Sequence, residues 1–257
     1  MLILYFSGTG NSQYIARQFA ARMQADCRSI EEEADFSALL AGTDTVAVCY
    51  PIYGSSVPRI MREFASRHAA QFEGKRLIIF CTQMMFSGDG AKAFTRLLPG
   101  CESRVIYAEH FNMPNNISNF WLFPVREGER IRKQRAADKR LERVCRDLEN
   151  GVVRRRGWGV RSMLLGKLQS RNWLAIEEKQ RGSFVADEDC SRCGLCVRRC
   201  PVQNLELTER GVVQKNRCIL CYRCVNLCPQ KAATVMLHVK PKRQYKGIIL
   251  SENRTGG

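Results

Sequence analysis

Leu2-Ile3-Leu4-Tyr5-Phe6-Ser7-Gly8-Thr9-Gly10-Asn11-Ser12 runs from an apolar stretch into a hydroxyl-rich turn, and Tyr14, Ile15, Gln18 and Phe19 follow at helical spacing. The order is strand, tight loop, helix start. Such a loop offers backbone N–H groups, hydroxyls and the positive end of a helix dipole to one anion, so it can hold a phosphate without Lys or Arg. The plainer reading is a strand-to-helix cap, because Ser, Thr and Asn are ordinary capping residues. Two other phosphate loops are excluded. The dinucleotide fingerprint needs a third glycine where Gln13 stands, and the Walker loop needs a Gly-Lys-Ser/Thr ending that is absent.

Outward from this loop, strands are predicted at 27–30, 45–50, 75–82 and 104–109, with helices between them at 34–41, 58–72 and 90–97. Alternation of this kind means a doubly wound parallel sheet with helices on both faces, and ligands sit beyond the carboxyl ends of its strands. Loops 7–12, 51–58 and 82–90 leave from those ends and converge on one site.

The stretch Tyr5 to Ser12 resembles the phosphate-loop signature of flavodoxins, which bind flavin mononucleotide (FMN). The resemblance implies a flavodoxin-like α/β domain in which Ser7, Gly8, Thr9, Gly10, Asn11 and Ser12 hold the cofactor phosphate. Pro51-Ile52-Tyr53-Gly54-Ser55-Ser56 resembles the loop that sets an aromatic ring against the isoalloxazine. Tyr53 would stack on the flavin, and Gly54 would let a peptide approach or flip near its central ring. Thr82-Gln83-Met84-Met85-Phe86-Ser87-Gly88-Asp89-Gly90 occupies the place of the other ring-binding loop, which makes Thr82, Gln83, Met84, Met85, Phe86 and Gly88 candidate contacts. It departs from the usual pattern in having no tyrosine after the fourth strand, so Phe86 or a methionine would flank the ring. Ordinary packing is the alternative for Tyr53 and Phe86. His110 would lie near the same sheet edge and titrate near neutrality, but a structural role is preferred because no proton-transfer partner can be named.

A second stretch organises the rest. Cys190, Cys193, Cys196 and Cys200 precede Pro201, and Cys218, Cys221, Cys224 and Cys228 precede Pro229, so each cysteine recurs 28 positions later. Two intervening residues let a tight loop offer thiolates to neighbouring corners of a cube, and the longer gap and proline send the chain away. Gly194 suits such close approach. The alternatives are zinc on Cys-x-x-Cys pairs and disulfides. Zinc needs neither the third cysteine nor the proline, and disulfide frameworks suit secreted chains. The spacing resembles the run of bacterial two-cluster ferredoxins, in which the fourth thiolate crosses to the other cluster. That resemblance implies one [4Fe–4S] cluster on Cys190, Cys193, Cys196 and Cys228, and a second on Cys218, Cys221, Cys224 and Cys200. The other five of the 13 cysteines, Cys27, Cys49, Cys81, Cys101 and Cys145, read as small buried apolar residues.

The expected division of the 257 residues is a flavodoxin-like FMN-binding domain at 1–150, a basic helical connector at 151–183, a small α+β two-cluster ferredoxin domain at 184–240 and a tail at 241–257. The cluster domain is too small to fold on its apolar surface alone, so folding and metal loading should be coupled. Residues 127–150 form the closing helix of the first domain, with Ala137, Leu141, Val144 and Leu148 on one face and Gly151 just beyond its end. In the connector, Val160, Leu164 and Leu168 fall at helical spacing, and this face is expected to dock between the domains in preference to a membrane surface. Val235-Met236-Leu237 is expected to complete the small sheet, and Lys240-Pro241-Lys242-Arg243 to be a solvated end.

The formal net charge of +16 favours acidic partners, and equally nucleic acid or an anionic membrane. Nucleic acid is disfavoured because no recognised fold or base-stacking platform accompanies the charge. Met1 leads straight into the first strand without a charged leader, and no apolar run approaches the roughly 20 residues of a membrane span, so a soluble, cytoplasmic protein is expected.

Nearly the whole chain resembles the flavodoxin–ferredoxin fusion proteins of anaerobic bacteria and archaea. This implies FMN, two [4Fe–4S] clusters, internal electron transfer between them and redox partner proteins. The competing expectation is a flavoenzyme that reduces a quinone or an unsaturated compound in an open pocket lined by Tyr53, Phe86 and His110. The absence of a separate nicotinamide fingerprint favours the relay.

Overall fold

A computed structural model describes residues 1–120 and 126–248; residues 121–125 and 249–257 lie outside the described residues, and with them most of the predicted tail. The first-domain elements are β1 (Leu2–Tyr5), α1 (Asn11–Met23), β2 (Asp26–Ser29), α2 (Phe36–Ala41), β3 (Thr45–Pro51), α3 (Arg59–Arg67), β4 (Arg76–Gln83), β5 (Val105–Asn112), α4 (Glu127–Glu149) and β6 (Arg154–Arg155). The six strands form one parallel sheet in the order β2-β1-β3-β4-β5-β6. The sheet is the doubly wound α/β architecture expected.

Strands β1, β3 and β4 are buried along almost their whole length, as continuous apolar runs covered on both faces must be. Strand β2, Asp26-Cys27-Arg28-Ser29, is polar because it is an edge. The opposite edge, β6, is made of two arginines that the sequence pattern places in the connector. A charged edge strand needs only backbone pairing, here with Tyr107 and Ala108, and carries no hydrophobic signal.

On one face Phe19 packs edge-on against Phe80 at 4.9 Å, and α4 buries Ala137, Leu141 and Val144 as predicted. On the other face Phe36 of α2 meets Phe64 of α3 at 5.0 Å. The helix expected over 58–72 ends at Arg67 and continues as a 3₁₀ turn at Ala69–Phe72, and that expected over 90–97 is a 3₁₀ turn, Lys92–Leu97.

Beyond β6 come α5 (Val160–Lys179), β7 (Val185–Ala186), α6 (Leu195–Arg198), β8 (Leu205–Thr208), β9 (Gly211–Gln214), α7 (Arg223–Leu227) and β10 (Ala233–Thr234). Strands β7 and β10 pair antiparallel, as do β8 and β9. The sequence repeat is also a backbone repeat. Arg192 and Leu220, Gly194 and Tyr222, and Gln203 and Lys231 all adopt positive φ, at 53° and 54°, 69° and 60°, and 49° and 55°. Two copies of one loop geometry, 28 residues apart, pack about a shared core of Phe184, Leu220, Tyr222 and Val225.

Two expectations are corrected and a third is refined. Strand β10 ends at Thr234, so Val235-Met236-Leu237 is not a strand; Met236 at φ 62° turns the chain out of the extended region. The apolar face of α5 does not dock between the domains: Val160, Leu164 and Leu168 are 77%, 71% and 63% exposed. The face that docks is a different one, on which Gly166 lies directly against Asp89, Trp173 packs on Gly54, and buried Glu177 reaches Arg62 at 2.5 Å. Lys240, Lys242 and Arg243 are exposed, in line with a solvated stretch, but the chain on either side is held. Lys240 pairs with Asp187 at 3.0 Å, and Tyr245, 2% exposed, donates its hydroxyl to Asn11 Oδ1 at 2.5 Å.

Candidate functional site

Intrachain bonds set the shape of the loop after β1. Gly10 takes φ 102°, a left-handed value open to glycine, and its N–H donates to Ser7 Oγ at 3.0 Å. Ser12 Oγ and Thr82 Oγ1 meet at 2.8 Å, joining this loop to the end of β4. Asn116 Nδ2 donates to Thr9 Oγ1 at 2.9 Å, and Asn11 Nδ2 donates to Pro114 O at 3.1 Å. No acidic residue stands in the first turn of α1, so the positive end of the helix is unopposed.

The loop after β3 closes as a two-residue turn in which Gly54 and Ser55 both take positive φ, 53° and 59°, while Tyr53 and Ser56 exchange backbone bonds at 3.2 and 2.9 Å. Close approach also demands glycine, since a Cβ on Gly54 would meet Trp173 Cβ at 2.5 Å. The Trp173 ring lies 5.9 Å from that of Tyr53. Helix α5 is stitched to the loops after β3 and β4. Gly88 N–H donates to Ser55 Oγ at 2.9 Å, and Ser55 Oγ donates to Gln169 Oε1 at 2.5 Å.

These loops border a cavity of about 240 Å³. Of the predicted residues, Ser7, Gly8, Thr9, Asn11, Ser12, Pro51, Ile52, Tyr53, Thr82, Gln83 and Met84 line it, whereas Gly10, Gly54, Met85, Phe86 and Gly88 do not. Phe86 is 60% exposed. His110 is also elsewhere, buried, with Nε2 accepting from the Ala91 N–H at 3.2 Å. Burial, helped by Arg156, pushes its pKa down to about 4, so it does not titrate near neutrality as expected.

Other residues complete the wall: Trp173 from α5, and Leu220, Tyr222, Met236 and Leu237 from the cysteine-rich domain. No local pattern marks Trp173, which sits 120 residues from its neighbour Tyr53. Leu220 and Tyr222 flank Cys221 inside the cysteine run, and that adjacency was the one available signal. Three buried polar atoms of wall residues, Tyr53 OH, Trp173 Nε1 and Tyr222 OH, have no partner among the described residues. An apolar cavity with unsatisfied polar atoms on its walls fits a planar group with a polar edge, as a flavin is.

The cysteine donor set fits iron–sulfur ligation in its chemistry. None of the 13 cysteines is in a disulfide. Asn204 N–H donates to Cys200 Sγ at 3.2 Å and Leu220 N–H to Cys218 Sγ at 3.4 Å, the kind of bond a thiolate ligand accepts. Burial raises the Cys196 thiol, and neighbouring Cys190 and Cys228 add to the effect. Burial likewise pushes Cys221 up to about 12, with Cys218 and Cys200 nearby. Cys228 thus lies near Cys196, and Cys200 near Cys221. Among the described residues, no three His, Cys, Asp or Glu side chains form a site for a single metal ion.

The two regions meet at the loop after β1. A Cβ on Gly8 would lie 2.4 Å from the Cys221 carbonyl oxygen. Arg223 donates to Ser7 O at 2.8 Å and Gly8 O at 3.1 Å, and pairs with Glu31 at 2.8 Å.

The architecture is that of a two-domain protein, an α/β domain with a hydroxyl-rich loop after its first strand packed against a doubled cysteine run. Residues 2–120 match the family model of the flavodoxin domain, and residues 189–232 match that of the 4Fe-4S dicluster domain. The chain thus carries a flavodoxin domain followed by a 4Fe-4S dicluster domain. Its cysteine-rich part is similar to the ferredoxin of Pyrobaculum islandicum, 38% identical over 65 residues, which is 24% of this chain and 61% of that protein. The chain is also similar to a component of the ion-translocating oxidoreductase complex of Buchnera aphidicola, 28% identical over 99 residues, 34% of this chain and 21% of that protein. It therefore spans less than two thirds of either relative. Among solved structures, two-electron reduced Megasphaera elsdenii flavodoxin is 25% identical with a TM-score of 0.39, covering 54% of this chain and 99% of that one. The domain content supports an electron-transfer role with flavin and iron–sulfur cofactors.

Proposed function

We propose that the chain relays electrons between an FMN in the cavity beside Tyr53 and two [4Fe–4S] clusters, and so couples one-electron carriers to a flavin. When bound, the clusters supply one-electron chemistry, and the flavin can take one electron or two. Ser7, Thr9 and Ser12, the backbone of their loop and the end of α1 would hold the phosphate; Tyr53 and Trp173 would flank the ring. Cys218, Cys221, Cys224 and Cys200 would hold one cluster, and Cys190, Cys193, Cys196 and Cys228 the other.

The observation that carries this reading is the contact between Cys221 and Gly8, together with the entry of Leu220 and Tyr222 into the flavin cavity. On this reading a loop that carries a thiolate ligand forms part of the flavin site, and the Arg223 bonds to Ser7 and Gly8 support it. The set containing Cys221 is the one beside the flavin. The set containing Cys193, the exposed cysteine of the eight, is the one turned toward partner proteins.

The alternative of direct small-molecule reduction needs an open pocket lined by Tyr53, Phe86 and His110. Phe86 and His110 are not on the cavity wall, and α5 and the cluster domain cover it. Anaerobic assays of the holoprotein with reduced ferredoxin and candidate quinones or unsaturated compounds distinguish the two. The relay gives negligible turnover until a partner reductase is added; multiple turnovers without one would replace it with the enzyme reading.

A further inference from the structure

Helix α5 has its amphipathic order reversed. Its inward residues are Gly166, Gln169, Trp173 and the buried Glu177, which make the contacts to the loops after β3 and β4 and to α3 described above. Its outward side carries Val160, Leu164 and Leu168, spaced i, i+4, i+8 and so stacked in one ridge, at 77%, 71% and 63% exposure. Leu165 extends the ridge at 37% exposure. Large aliphatic side chains left in water on a well-formed helix mark a surface that something covers.

Charge says what covers it. Arg161, Lys167 and Arg171 are exposed beside the ridge and form no ion pair with a described residue. From Val160 to Arg171 there is no Asp or Glu. We propose that this face of α5 seats on an anionic lipid surface, with the helix lying in the plane of the headgroups, the aliphatic ridge in the acyl boundary and the three cations on lipid phosphates.

Two other occupants fit less well. A second copy of the chain would bring the same cations face to face across a two-fold contact, where they repel. A protein partner would be expected to meet aromatic or arginine anchors in a concave site, whereas this ridge is convex and purely aliphatic. The described chain has no helix long and apolar enough to cross a membrane, so the contact is peripheral. Because Trp173 and Gln169 lie on the opposite side of α5, seating would hold the cavity about one helix diameter, roughly 10 Å, from the headgroups.

The test is flotation of the anaerobically prepared full-length holoprotein with vesicles of phosphatidylcholine alone and of phosphatidylcholine with phosphatidylglycerol. Binding should require phosphatidylglycerol and fall as salt is raised from about 0.1 to about 0.5 M. The double variant Leu164→Asp/Leu168→Asp should lose binding about tenfold or more, with the visible spectrum and Tm unchanged. If that variant is unstable, Arg161→Glu/Arg171→Glu serves, since both side chains are solvent-facing. Three results overturn the proposal: no binding to either vesicle, binding that neither variant weakens, or concentration-dependent self-association that Leu164→Asp/Leu168→Asp abolishes.

Discussion

Gly166 shows how much of this molecule rests on single contacts. A Cβ there would lie 1.6 Å from Oδ1 of Asp89, which is fully buried, so Gly166→Ala must push α5 away from the loop after β4. The expected cost is about 2 to 3 kcal/mol, read as a fall in Tm of about 5 °C or more with loss of bound flavin. Gly128→Ala in α4, where a Cβ meets nothing, should be neutral or slightly stabilising. His110 makes a different prediction. Its folded pKa, about 4, is below its ordinary 6.5, so the unfolded chain takes the proton first as pH falls. Its contribution is intact above 6.5 and is lost between there and about 4, by about 3 kcal/mol at the lower end. In a histidine-selective NMR titration the His110 ring should remain neutral at pH 5.5; a midpoint near 6.5 would contradict its burial. That Tyr53 and the loop after β1 border one cavity was legible in sequence, because both leave the carboxyl ends of neighbouring strands. Trp173 was not, since nothing near it announces a flavin and only tertiary packing brings it to Tyr53.

At the scale of elements, the cysteine runs were the most legible feature, and the structure repeats them as paired left-handed residues. The crossed ligand assignment is tested by Cys200→Ser. It should remove or convert the cluster of Cys218, Cys221 and Cys224, costing up to about four irons per chain, and leave the other cluster's EPR signal. Selective loss of the cluster on Cys190, Cys193 and Cys196 would refute it. Helix α5 was legible only in part. Periodicity shows that Val160, Leu164 and Leu168 share a face, but not which way the face turns. That is decided by the close approach of Gly88 and Gly166 and by the buried pairing of Glu177 with Arg62. Strand β6 gave no signal at all, because two edge arginines look like loop.

Across the whole molecule, the flavodoxin and 4Fe-4S regions share a site rather than being beads on a tether. Leu220 and Tyr222 close the cavity that Tyr53 opens, and Arg223 bonds the loop that would hold the flavin phosphate. Under the proposed function this arrangement keeps a flavin out of bulk water and next to one cluster, while the exposed Cys193 side meets partners. The fusion was readable from the order of the two motifs; their direct contact was not, because residues 8 and 221 are linked by no pattern a sequence carries. All of this requires both cofactors on one chain. Flavin and metal analysis of the anaerobically purified full-length protein, with its visible spectrum, tests that most directly. The account predicts one FMN and about eight irons per chain. Zinc in place of iron, or a chain that binds no flavin when flavin is supplied, would contradict it.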